Sequence, residues 1–137
     1  MMRTRLDYAV RLLVALYHFG LKSDRFTSMG QLATNAGISL QAGEYVAVCL
    51  RQFIDRQKGP GGGYRLNTKL QDISIKDVAD KVLTKIDNGM WQQAYQKIDA
   101  MFAKMKVSDF IELAKATKPP HRKNFRGAQP RPCLQSY

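Results

Sequence analysis

Cysteine is almost missing from this chain, and its scarcity removes two chemistries at once. The two cysteines, Cys49 and Cys133, stand far apart, and neither belongs to a C-x-x-C pair. A cysteine metal site is therefore not expected, and reduced thiols in a cytoplasmic protein are the default reading. Histidine is equally scarce. His18 falls at the end of a helical stretch and His121 in the C-terminal segment. No Ser/His/Asp or Cys/His set is suggested around them, so catalysis is not expected, nor is a cofactor. Long apolar runs are missing too. Nothing approaches the roughly 18 residues that span a bilayer. The start, Met1-Met2-Arg3-Thr4-Arg5, lacks the apolar stretch of a signal peptide, so secretion is not expected.

Acidic residues are in short supply. Eleven Asp and Glu face 22 Lys and Arg, for a net charge of +11. That excess points to a polyanionic partner, with duplex DNA favoured and structured RNA possible. A membrane surface fits less well, because no helix is both strongly basic on one face and apolar on the other. Hydrophobic residues still make up 45% of the 137 residues, enough for a core. The length suits one domain with an appendage.

Apolar periodicity then divides the chain. Leu6, Ala9, Val10, Leu13, Leu16 and Tyr17 share one helical face, which predicts a first helix over about 7–19, stopped by Gly20. Ser28 with Gln31 reads as a capping box opening a short helix over 29–36, ended by Gly37. Ser39 caps a third helix over about 40–52. Helix, Gly-Ile-Ser turn, helix is the outline of a helix-turn-helix. Directly after it comes Lys58-Gly59-Pro60-Gly61-Gly62-Gly63-Tyr64-Arg65, a glycine-rich tip leading into alternating strand residues. A basic hairpin in that place makes a winged helix. The glycine run leads into a strand rather than a helix, so it is not a nucleotide fingerprint.

Ser74 caps a fourth helix over 75–82. Beyond a short linker, Trp91, Tyr95, Ile98, Phe102 and Met105 follow a 4-3-4-3 spacing, the seam of a heptad. Such a seam suits a dimerisation helix over about 88–104, or else a helix packed on its own domain. Ser108 or Asp109 opens a last short helix through Lys115. From Lys118 the chain is basic (Arg122, Lys123, Arg126, Arg131), holds four of the five prolines and has no acid. It reads as a solvated tail. The expected organisation is a nucleic-acid-binding domain over 1–83, a dimerisation region over 88–115 and a tail over 116–137. The fold class is mainly α with a small β-hairpin wing: a winged helix-turn-helix plus a long dimerisation helix.

The Asp7-Tyr8-Ala9-Val10-Arg11 start, Gln31-Leu32-Ala33 with Gly37-Ile38-Ser39, the Gly59–Leu66 wing and Ile73-Ser74-Ile75-Lys76-Asp77-Val78 form a familiar set. Over about residues 2–115 the chain resembles the winged-helix repressors that include IscR, NsrR, RirA and CymR. The wing followed by Ile-x-Ile-x-x-Val is the specific part. The resemblance implies a homodimeric transcription regulator of bacterial type, with its third helix in the major groove and its wing on the backbone or minor groove. Many such proteins hold an iron–sulfur cluster on three cysteines ahead of the dimer helix. Here that stretch is Leu83-Thr84-Lys85-Ile86-Asp87-Asn88-Gly89 and contains no cysteine, so the family's cluster has no ligands there. The reading head also departs. It is about two residues shorter than in relatives and has no cation before Arg51. Glu44 opposes phosphate, and Gly43 costs the helix about 1 kcal/mol against alanine.

Two functions are thus in view. In the first, a cluster-free dimeric DNA-binding regulator uses Arg3, Arg5, Arg51, Arg56, Lys58 and Arg65 on phosphates. Backbone at Gly61 and Gly62 approaches the nucleic acid beside Tyr64, and Gln41 and Tyr45 read bases. In the second, the winged helix is a structural subunit of a ribonucleoprotein such as a ribosome, in the cytoplasm or an organelle matrix. There it would need shape and phosphate contacts but no base code.

Overall fold

The computed structural model describes residues 2–83 and 89–119. The shortened linker over 84–88 and the basic tail from 120 onward lie outside the described residues. The elements follow in the order α1 (Met2–Lys22), α2 (Met29–Ala36), α3 (Leu40–Cys49), β1 (Ile54–Gln57) and β2 (Gly63–Leu66). After them come α4 (Ile75–Val82), α5 (Gly89–Lys104) and α6 (Ile111–Ala116). Single turns of tighter helix, Leu70–Asp72 and Val107–Phe110, precede α4 and α6. The fold is a winged helix, as expected. No described helix is long and apolar enough to cross a membrane.

The central element is α1. Tyr8, Ala9, Leu12, Leu13 and Leu16 are buried along it. It touches α2, α3, α4, β2 and α6. It is longer at both ends than its apolar stripe suggested. Gly20 does not stop it, since one glycine costs a helix only about 1 kcal/mol and Leu21 and Lys22 continue it. At the other end, α3 stops at Cys49, three residues short of the expectation. Its chain then turns through Arg51–Phe53 into β1.

Capping sets the remaining starts. Ser28 accepts from the Gln31 amide at 3.3 Å, and Ser39 accepts from the Ala42 amide at 3.0 Å. Ser74 and Asp77 form a full capping box, each side chain accepting from the other's amide at 3.0 Å.

The region after 88 shares this core rather than building its own. The Ile75 amide donates to Met105 O at 2.8 Å, and the Val107 amide to Ile73 O at 2.9 Å. These bonds tie the end of α5 to the start of α4. Val107 is fully buried. The heptad seam consequently splits. Phe102 and Met105 lie half-buried against the core. Trp91, Ile98 and Met101 are exposed by 47%, 43% and 65%. The outward stripe therefore includes Met101 in place of Phe102. The helical period allowed both readings, and contact with α4 selected one.

Arg11 is the one buried cation among the described residues, 7% exposed. Its Nε donates to Asp7 Oδ1 at 2.6 Å. Its Nη1 donates to Ala114 O at 3.0 Å and Thr117 O at 2.9 Å, and its Nη2 to Thr117 Oγ1 at 2.8 Å. The fork thus satisfies the open carbonyls at the C-terminus of α6 and clamps that helix onto α1. Arg11→Ala would leave those carbonyls unpaired. Urea unfolding should show a loss of roughly 2–4 kcal/mol. Arg11→Lys should recover only part of it, because an ammonium cannot make the planar fork. A loss within the scatter of surface substitutions would remove Arg11 from this role.

Candidate nucleic-acid interface

The helix-turn-helix is closed by two devices. Gly37 takes φ +75°, and its amide reaches back to Ala33 O and Thr34 O to end α2. That left-handed turn is open to glycine at little cost. Ile38 continues it, donating its amide to Ala33 O at 3.0 Å while its side chain packs on the core. Gly43 has a separate reason. A Cβ there would come within 2.5 Å of Met29 Sδ. The absent side chain lets α3 press against α2, which offsets its cost in helix propensity.

The interior face of α3 consists of Ala42, Gly43, Tyr45, Val46, Ala47 and Cys49. Leu40, Gln41, Glu44 and Val48 face outward, with Leu40 53% and Val48 36% exposed. Gln41 therefore stands on the first turn of the outward face, where a base-reading side chain belongs. Tyr45 does not. It is 7% exposed and its hydroxyl is buried without a hydrogen-bond partner. Burial pushes its pKa up, while Arg5, 5.5 Å above the ring, pulls the other way. Tyr45 belongs to the packing between α1 and α3, and Arg5 is drawn onto its ring. The expected base contact of Tyr45 is not met, because the helical phase turns it inward.

The wing is an antiparallel pair with Ile54 opposite Leu66, Asp55 opposite Arg65, Arg56 opposite Tyr64 and Gln57 opposite Gly63. A third segment, which no local motif marks, joins it. The Thr27 amide donates to Tyr64 O at 2.9 Å and the Tyr64 amide to Thr27 O at 2.8 Å. The chain ahead of α2 is thereby fixed to the hairpin. A Cβ on Gly63 would lie 2.1 Å from Thr27 O, and one on Gly62 would lie 2.2 Å from Gln57 O. Close backbone approach within the protein explains both glycines. Gly61, at the exposed tip with φ +75°, meets nothing.

The cations are disposed unequally. Arg56 and Lys58 are exposed on the wing, Arg56 lying 5.9 Å from the Tyr64 ring. Arg65 is committed to the scaffold. Its Nη1 donates to Asp24 O at 3.0 Å, it pairs loosely with Asp55 at 3.9 Å, and its guanidinium sits 4.4 Å from the Phe26 ring centre. Tyr64 is half-buried against the core. Arg51 is exposed just beyond α3. Arg3 lies in the first turn of α1, and its side chain is outside the described part. The sequence reading passed over Leu40 and Val48 as parts of the outward face. Their spacing with Glu44, at i, i+4 and i+8, is the signal that would have found them.

Cys49 is buried at 1% exposure on the inner face of α3, and Cys133 lies outside the described residues.

The chain matches the family model described as Rrf2, iron-dependent transcriptional regulator, over residues 2–88. Among solved structures, it is similar to IscR of T. potens at 21% identity, with a TM-score of 0.58 over 90% of this chain and 93% of that one. It is similar to the global cysteine regulator CymR of B. subtilis at 17% identity and TM-score 0.57, covering 86% and 97%. CymR of Staphylococcus aureus gives 16% and 0.56, covering 82% and 97%. At these identities the structural likeness speaks for the fold. No curated protein matches the sequence. The iron of the family's description finds no donor set among the described residues, where no three His, Cys, Asp or Glu side chains could hold a metal ion. The match over residues 2–88, together with the helix-turn-helix and wing just described, establishes that this chain belongs to the Rrf2 family of transcriptional regulators.

Proposed function

We propose that this chain is a DNA-binding transcription regulator of the cytoplasm that acts as a homodimer without an iron–sulfur cluster. The observation that carries the reading is a helix-turn-helix with Gln41 on its outward first turn, followed directly by a wing bearing exposed Arg56 and Lys58. Gln41 suits adenine, whose N6 and N7 match a side-chain amide. The wing cations, with Arg51, hold phosphates. Gly61 gives the tip a bare backbone that can approach the duplex. The cluster is left out because the stretch over 83–89 has no cysteine and the described residues offer no ligand group.

Dimerisation is supported by the outward stripe of α5. Trp91, Ile98 and Met101 are large apolar side chains on the exposed side of a 16-residue helix, which suits a helical interface. Trp91→Ala with Ile98→Ala should give a monomer by sedimentation at micromolar concentration, with an unchanged far-UV spectrum. A wild type that is itself a monomer under those conditions would sink the homodimer.

A second reading rests on the outward face of α3. Leu40, Glu44 and Val48 occupy it, and no cation appears before Arg51. Such a face suits a structural subunit of a ribonucleoprotein, which needs protein and RNA contacts but no base code. Salt titration separates the two. Arg56→Ala with Lys58→Ala should weaken binding to every duplex and flatten log affinity against log salt by about 2, at roughly 0.9 per phosphate contact. Gln41→Ala should cost roughly 1–3 kcal/mol at a selected site and leave the slope alone. If no duplex is preferred over random sequence and structured RNA binds as tightly, the regulator reading fails and the ribonucleoprotein reading stands.

A further inference from the structure

A cleft of about 560 Å³ opens where the ends of α1, α2 and α6 meet. That volume is within the range of roughly 300–1,000 Å³ typical of small-molecule sites. Its walls include Arg11, His18, Lys22, Lys115, Lys118 and Gly37, and no carboxylate among the described residues lines it. The three lysines are exposed, and none forms an ion pair among the described residues. Lys22 rests 5.7 Å from the Phe19 ring centre, which leaves its charge unneutralised.

Cations at helix C-termini ordinarily serve the helix ends. Here two of the three ends already have donors. Arg11 holds Ala114 O and Thr117 O of α6, and the Gly37 amide closes α2. The lysine charge is surplus to that task. On the same wall, His18 Nε2 is buried and has no hydrogen-bond partner, a costly state for a ring nitrogen.

We infer that this cleft binds a phosphate-class oxyanion, its charge held by Lys22, Lys115 and Lys118 beside the His18 ring. The imidazole environment fits. The pKa of His18 is lowered first by burial and then by Lys115 and Lys22, with Glu112 opposing. An anion among those lysines would reverse part of that shift. The site also borders the helix-turn-helix. Asn35, Ala36 and Gly37 form one wall, and Pro119 stands 3.3 Å from the place of a Cβ on Gly37. A ligand there would rest against the turn that sets α3 relative to α2. The phosphate has two possible sources, a free phosphorylated small molecule or a nucleic-acid backbone.

Ring NMR of His18 in the full chain tests this, with pyrophosphate as the probe at fixed ionic strength. The His18 signals are assigned by their loss in His18→Gln. They should move saturably and the ring pKa should rise. In Lys22→Gln with Lys115→Gln, both substitutions at exposed positions, the affinity should fall roughly tenfold or more as two charge-assisted contacts are lost. A short duplex and a structured RNA form the other arm. If pyrophosphate alone moves His18, the source is a small molecule. If the nucleic acid moves it and the double variant weakens that binding, the source is the backbone. An unmoved His18 in every arm, or a double variant that titrates like the wild type, overturns the proposal.

Discussion

Arg11 carries a full charge into a surface where its neighbours are almost all apolar, and its fork joins the last described helix to the first. Burying a guanidinium is costly unless its donors are used. Here Asp7, two main-chain carbonyls and a hydroxyl take them. The carbonyls at the end of α6 would otherwise face the same cost from the other side. Each partner solves the other's problem, and α6 is held against α1 as a result. The position of α6 in turn shapes two of the clefts that α1 borders. One is the apolar groove of about 300 Å³ lined by Leu6, Val10, Phe102 and Phe110. The other is the basic cleft beside His18.

A second constraint runs through backbone rather than side chains. The winged helix brings three segments together at Tyr64, whose strand pairs with β1 on one side and with Thr27 on the other. The approach leaves no room for a Cβ at Gly62 or Gly63. The glycine run therefore has two duties at neighbouring positions. Gly62 and Gly63 admit the protein's own backbone, while Gly61 leaves the tip bare. Arg65 shows the same economy among the cations, because the Phe26 ring, Asp24 and Asp55 use it to fix the base of the wing. The exposed basic groups that remain on the hairpin are Arg56 and Lys58.

The reading head is the least conventional part. Close contact between Gly43 and Met29 draws α3 tightly onto α2, and the outward face that results carries Leu40, Gln41, Glu44 and Val48. Apolar side chains can meet thymine methyl groups and an amide can meet adenine, yet the same face would also suit a protein surface. Charge separates the wing from the helix. The hairpin offers cations, and the outward face of α3 offers an acid.

Local signals in the sequence determined a good deal. Ser28, Ser39 and Ser74 set the starts of three helices, Gly37 ended α2, and the glycine run marked the wing. Each of these depends on residues within a few positions of one another, where capping and turn chemistry act. The winged-helix architecture followed from their order. The tertiary structure decided which way each side chain faces when more than one phase was open. Tyr45 turned inward because α3 packs on α1, Phe102 turned inward because α5 packs on α4, and Arg65 was taken up by Phe26 and Asp24. The partners of Tyr45 and Arg65 lie about 40 positions away along the chain, and α4 lies at least 20 positions before Phe102. Contacts at that separation leave no period or spacing to read, so only the folded chain could assign them.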